Sequence, residues 1–68
     1  MTAREIAQDL AARITRGEYP ADEPLPSYVG LAELYSVSRS TAHRVYTILV
    51  TQGVVEGVPG RGMYRVEQ

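Results

Sequence analysis

Three residues, Ser36-Val37-Ser38, separate two runs of apolar residues spaced at helical period, and so short a connector leaves the two helices few ways to meet. Before it, Leu31, Ala32, Leu34 and Tyr35 supply a short apolar face behind Ser27, a capping residue. After it, Ala42, Val45, Tyr46 and Leu49 supply a longer inward stripe, with Ser38 as cap and Gly53 as stop. The pattern predicts a second helix ending near Tyr35, Val37 tucked inward, and a third helix from Arg39 to about Gln52. A short helix joined to a longer one by about three residues is the helix-turn-helix arrangement.

The flanking segments complete a known shape. Thr2-Ala3-Arg4-Glu5 fits a capping box, and Ala3, Ile6, Ala7, Leu10, Ala11 and Ile14 form one stripe behind it, giving a first helix over 3–16 closed by Gly17. The segment 17–27, GEYPADEPLPS, holds three prolines and cannot be helical throughout; Leu25 is its best candidate for burial. Beyond Gly53, Val54-Val55 and Met63-Tyr64-Arg65-Val66 read as two short strands around the turn Pro59-Gly60-Arg61-Gly62. The expected fold is mainly α with a small β-hairpin: a winged helix-turn-helix of three helices and a two-stranded wing, one domain over 1–68.

Composition narrows the function. With 68 residues, the chain buries only about 60% of its unfolded surface, so stability is expected to be marginal. Zero cysteines exclude disulfides, thiolate metal sites and thiol nucleophiles. No apolar run approaches the roughly 20 residues of a membrane span and no signal peptide is visible, so a cytoplasmic location is expected. No phosphate-binding loop, paired carboxylates or nucleophile with a base stands out, so neither an enzyme nor a cofactor is expected.

The net charge of −1 hides an asymmetry. Residues 1–35 carry three arginines against six acids, a net −3, and residues 36–68 carry four arginines against two acids, a net +2. Every basic residue is arginine, whose planar fork suits phosphates and guanine edges, although a GC-rich genome would produce the same usage.

Ser38, Arg39, Ser40, Thr41, His43 and Arg44 crowd the start of the third helix. On an isolated helix they would be a cap and solvated charges. Directly after a short helix and a tight turn, they stand where a recognition helix meets DNA. Arg39, Ser40, His43 and Arg44 are the candidates for reading bases. Thr47 shares the outward face with Ser40, Arg44 and Thr51. Ser27, Tyr28, Ser38 and Thr41 are the candidates for holding phosphates. Arg61, between Gly60 and Gly62, is either a solubility charge in a turn or a finger for a minor groove, and the fold favours the second. His43 has no second histidine or carboxylate at ligand spacing, so no metal site is expected. Tyr35 and Tyr46 read as core or half-core.

Nearly the whole chain resembles the N-terminal domain of the gluconate-repressor (GntR) family of bacterial transcription regulators. IAQDLAARITRGEYPADEPLPS resembles that family's first helix and its G-x-x-x-x-G-x-x-L-P-S loop, with Asp22 or Glu23 in place of the second glycine. LAELYSVSRSTAHRVYTILVTQGVVEGVPGRGMYRV resembles its helix-turn-helix, L-A-x-x-x-x-V-S-R-x-T-V-R-x-A-L-x-x-L-x-x-x-G, and wing. The resemblance implies DNA contacts by Ser38, Arg39, Ser40 and Thr41 and by Gly60, Arg61 and Gly62. Two departures bear on the operator. Tyr28-Val29 stands where the family usually has Glu-Arg, so an arginine contact is lost or passes to Tyr28. His43 stands where a second DNA-contacting arginine is usual, with Arg44 beside it, and a histidine there implies pH-sensitive binding.

Family members normally continue into an effector or dimerisation domain. The expectation here is a stand-alone small regulator, of the kind plasmids and phages encode, or a piece of a longer protein. Its opening Met and capping box fit a natural N-terminus, while Glu67-Gln68 carries no signal. The expected partner is double-stranded DNA at a pseudo-palindromic operator, bound by a homodimer formed at least on DNA, with no small-molecule effector. A repressor is the first expectation. The alternatives are a winged-helix protein-interaction module and an architectural, excisionase-like DNA-bending factor.

Overall fold

The computed structural model describes residues 1–67. Three helices, α1 (Ala3–Thr15), α2 (Tyr28–Tyr35) and α3 (Arg39–Thr51), are followed by strands β1 (Val55–Val58) and β2 (Gly62–Arg65). The strands pair antiparallel, Val55 opposite Arg65 and Val58 opposite Gly62. This is the expected winged helix-turn-helix.

Each helix starts on a hydroxyl. Thr2 Oγ1 accepts from the Glu5 amide at 3.1 Å while Glu5 Oε1 accepts from the Thr2 amide at 2.8 Å, closing the capping box. Ser27 accepts from the Gly30 amide at 3.0 Å, and Ser38 from the Thr41 amide at 3.2 Å. Each cap satisfies one of the free amides of a first turn.

Each helix also ends the same way. The amides of Gly17 and Glu18 reach back to the carbonyls of Ile14 and Arg13, those of Ser36 and Val37 to Glu33 and Ala32, and those of Gly53 and Val54 to Val50 and Leu49. All three are Schellman turns with a left-handed residue at the bend: Gly17 (φ 85°), Ser36 (φ 55°) and Gly53 (φ 75°). Val37 and Val54 follow the bends and pack on the core. Arg16 and Gln52 are therefore caps, one residue beyond the last helical position, and Val54 lies between α3 and β1, its amide closing α3 and its carbonyl accepting from the Val66 amide at 2.9 Å.

The core is Ile6, Ala7, Leu10 and Ile14 from α1, Leu31 and Ala32 from α2, and Ala42, Val45, Tyr46 and Leu49 from α3, with Leu25 and Val55. Leu25 closes one side by donating its amide to the Met63 carbonyl at 2.7 Å, which fastens the proline-rich loop to the free edge of β2. Leu34 departs from its expected place on the apolar face and is 48% exposed. At about 100° per residue it lies roughly 110° from the direction midway between Leu31 and Ala32.

At the wing tip the Arg61 amide donates to the Val58 carbonyl at 2.9 Å, with Pro59 and Gly60 (φ 76°) in the two central positions, the pattern of a type II turn. Gly62 (φ 109°) opens β2 and is not part of the turn itself.

A polar link joins α1 to α2. The Tyr35 hydroxyl donates to Asp9 Oδ2 at 2.6 Å, and Arg13 Nε donates to the same oxygen at 3.1 Å. The hydrogen bond from Tyr35 foremost, then the charge of Arg13, holds the Asp9 carboxyl below its usual range. A carboxyl whose pKa is lowered on folding stabilises above its unfolded value and loses that contribution as pH falls through the folded one. Acidification from about pH 5 to pH 2 is thus expected to lower the urea midpoint, and Tyr35→Phe to flatten that dependence.

Ser36 is the bend that is not glycine. A left-handed L-residue costs about 1–2 kcal/mol, partly offset by the extra freedom glycine has when unfolded. Ser36→Gly is expected to raise stability by about 0.5–1 kcal/mol, read from the urea unfolding midpoint at unchanged slope.

Candidate nucleic-acid interface

The outer side of α3 is built by its own period. With Ala42, Val45, Tyr46 and Leu49 buried, Ser40, His43, Arg44 and Thr47 are left exposed and line one shallow depression. The Thr47 hydroxyl donates back to the His43 carbonyl at 3.1 Å, which fixes its rotamer and leaves oxygen lone pairs outward.

At the amino end of α3, Ser38 and Thr41 answer to the helix first. Ser38 Oγ holds the Thr41 amide, and the two hydroxyls lie 3.1 Å apart. Thr41 is half-buried by this arrangement. Both oxygens keep spare hydrogen-bonding capacity at a helix amino end, where the dipole favours anions. Arg39 faces a neighbouring depression with Val29, Ala32, Glu33 and the turn 36–38. Ser27 likewise caps α2 through the Gly30 amide.

The wing forms the second wall. Ser27, Tyr28 and the loop residues Pro24 and Leu25 face Val58, Pro59, Gly60, Arg61, Gly62 and Met63 across a mostly apolar groove. A smaller groove runs between α3 and β2, where Tyr28, His43, Tyr46 and Thr47 meet Met63. Tyr28 lines both, so it is the hinge between the helix surface and the wing surface.

Tyr28 owes that place to Tyr46. Tyr46 is 1% exposed, and its hydroxyl donates to the Pro26 carbonyl. Burial raises the Tyr46 phenol pKa, which keeps it a neutral donor. The Tyr28 ring packs edge-on against Tyr46 at 5.5 Å and 71°, and stacks on the His43 imidazole at 5.0 Å and 26°. Ser40, His43, Arg44 and Thr47, Tyr28, and the wing residues Gly60, Arg61 and Gly62 thus line three depressions linked by shared residues, while Arg39 lines a separate one.

The seven arginines have different surroundings. Among the described residues, ion pairs form within the acidic half, Arg13 with Asp9 and Arg16 with Glu18. Arg4 in the same half, and Arg39, Arg44 and Arg61 in the other, are exposed and form none. Arg65, counted with the basic half from the sequence, is turned inward instead. Its Nη1 lies 3.5 Å from the carbonyls of Ile14 and Tyr19, against the electronegative end of α1.

Sequence reasoning missed the Tyr28–His43 stack and the part Met63 takes in both grooves. The stack depends on how α2 crosses α3, and the only trace of it in the sequence was an aromatic residue directly after the Ser27 cap.

A capped helix presenting unpaired arginines beside a glycine-tipped wing defines the winged helix-turn-helix class. The sequence model of the bacterial regulatory proteins of the gntR family matches residues 2–64. The chain belongs to that family, and its fold is that of the family's DNA-binding domain. It is 34% identical over 62 residues to the HTH-type transcriptional regulator GmuR of Bacillus subtilis, covering 91% of this chain and 26% of GmuR. It is 35% identical over 60 residues to the HTH-type transcriptional repressor NagR of Bacillus subtilis, covering 88% of this chain and 25% of NagR. A GntR family transcriptional regulator from Listeria monocytogenes superposes with a TM-score of 0.87 at 29% identity, over 97% of this chain and 58% of that one. The DNA-binding domain of AraR in complex with operator ORR3 superposes with a TM-score of 0.84 at 25% identity, over 94% and 77%. The chain spans about a quarter of the length of the curated relatives GmuR and NagR.

Tyr46→Phe tests the support of this surface. It leaves the Pro26 carbonyl without its donor while conserving the ring, and is expected to cost about 1–2 kcal/mol in urea unfolding.

Proposed function

We propose that the chain binds double-stranded DNA in a sequence-specific way and acts as a transcriptional repressor, as a binding protein and not an enzyme. The observation that carries this is the set of three exposed, unpaired arginines, Arg39 and Arg44 on α3 and Arg61 on the wing, of a domain of the gntR family. The naming of NagR as a repressor and the operator complex of the AraR domain support it.

In this reading α3 enters the major groove. Arg39 and Arg44 fork onto guanine edges, and Ser40, His43 and Thr47 read neighbouring bases. Ser27, Tyr28, Ser38 and Thr41 hold the backbone, using hydroxyl capacity that the caps leave free. Gly60 and Gly62 let the wing approach closely, and Arg61 enters the adjacent minor groove, where the negative potential is deepest. One domain of this size covers little DNA, so two copies bind an inverted repeat, with the pairing formed at least on DNA. A cytoplasmic location follows from this function.

Selection of bound duplexes from a randomised pool at moderate salt tests the reading. An inverted repeat is expected to be enriched, its spacing giving the geometry of the pair. Arg39→Ala is expected to abolish the enrichment. Arg61→Ala is expected to weaken binding and to lower the dependence of log K on log salt by about 1. If nothing is enriched and binding is absent even at low salt, the protein-interaction reading replaces this one.

A further inference from the structure

The His43 imidazole is held on one face and free at its edge. Its ring lies on Tyr28 at 5.0 Å and 26°, Tyr28 is braced edge-on by Tyr46, and Tyr46 is locked in the core by burial and by its bond to the Pro26 carbonyl. Among the described residues, no hydrogen bond or ion pair occupies the imidazole nitrogens. The residues that share its two depressions, Ser40, Arg44, Thr47, Tyr46, Val50, Thr51 and Met63, include no acid to draw the ring aside.

We propose that Tyr28 is a positioning residue for operator specificity: it fixes the plane of the His43 ring so that an imidazole N–H meets a purine edge in the major groove. This rests on the DNA-binding reading above. The ligand chemistry follows from the donor. An imidazole N–H needs an acceptor: in the major groove purines offer N7, joined by O6 in guanine, while thymine offers O4 only beside its methyl group, which crowds a flat ring. A freely turning imidazole would lose rotational freedom on binding and could meet several base edges. A ring clamped on one face meets one. Tyr28, 41% exposed, can hold the ring without itself touching a base.

The test repeats the duplex selection with His43→Ala, Tyr28→Phe, Tyr28→Leu, Tyr28→Ala and the double variant Tyr28→Ala/His43→Ala. Thermal unfolding checks that each is folded, and Tyr28→Leu keeps apolar cover over Tyr46 without a flat ring. In the unsubstituted protein one position per half-site is expected to prefer a purine about tenfold. His43→Ala, Tyr28→Leu and Tyr28→Ala should lose that preference at that position alone, and Tyr28→Phe should keep it. The double variant should be no worse than either single one, because the two residues act as a unit. A Tyr28 that only holds a phosphate would show instead as equal weakening on all sequences with the purine preference retained, Tyr28→Phe being as damaging as Tyr28→Ala, and would overturn the proposal. A purine preference that survives Tyr28→Leu and Tyr28→Ala, or that His43→Ala does not touch, would also overturn it while leaving DNA binding standing. Only the absence of any enriched sequence with the unsubstituted protein would remove both readings together.

Discussion

Tyr46 is the residue through which the inside of this domain reaches its surface. Its ring is buried in the core beside Tyr28 of α2, near Met63 of the wing, and its hydroxyl ties α3 to the Pro26 carbonyl at the end of the proline-rich loop. That loop in turn holds the edge of β2 through the Leu25 amide. One side chain therefore sets the relation of three parts that no regular element connects: the start of α2, the middle of α3 and the wing. The Tyr28–His43 stack rests on the same ring, which Tyr28 meets edge to face. A small core cannot stabilise a surface by bulk, so rigidity has to be delivered along specific contacts.

The ends of the helices explain how so few residues turn so sharply. All three helices use the same pair of backbone bonds at the C-terminus, and two of them use glycine where the chain turns left-handed. The third bend, at Ser36, accepts a strained residue. It is also the bend of the helix-turn-helix, and Ser36 shares its depression with Arg39.

Most of the fold was legible because punctuation and period agreed. Ser27 and Ser38 opened helices, Gly17 and Gly53 closed them, and the stripe of Ala42, Val45, Tyr46 and Leu49 named the inner face of α3 correctly. The misplacements have local causes. Arg16 and Gln52 look helical because caps keep helical dihedrals, and Leu34 looks internal because an eight-residue helix gives too few turns to locate its buried arc. The members of the candidate surface were legible one by one, from their type and place relative to the turn. Their grouping was not. Whether Arg65 was available could not be read from a strand of mixed polarity, since its destination is the far end of α1. Nor could sequence show that Tyr28 and His43 touch, since that depends on a crossing between helices.

Those two residues sit where the chain leaves the pattern it otherwise resembles, and the structure puts both departures in a single contact. With Val29 and His43 at the two positions where the resemblance implies arginine, and His43 stacked on Tyr28, charge is exchanged for preorganisation. An arginine reaches a phosphate or a guanine from many positions, and its binding weakens steeply with salt. A clamped imidazole reaches little, but always from the same direction. Such a surface draws less of its affinity from the phosphate backbone and more of its discrimination from fit. That matches a domain whose net charge is −1 and whose free arginines number only three on the surface between α3 and the wing. In the proposed reading general attraction to DNA is weak, and the difference between right and wrong sites comes from the few side chains held in place.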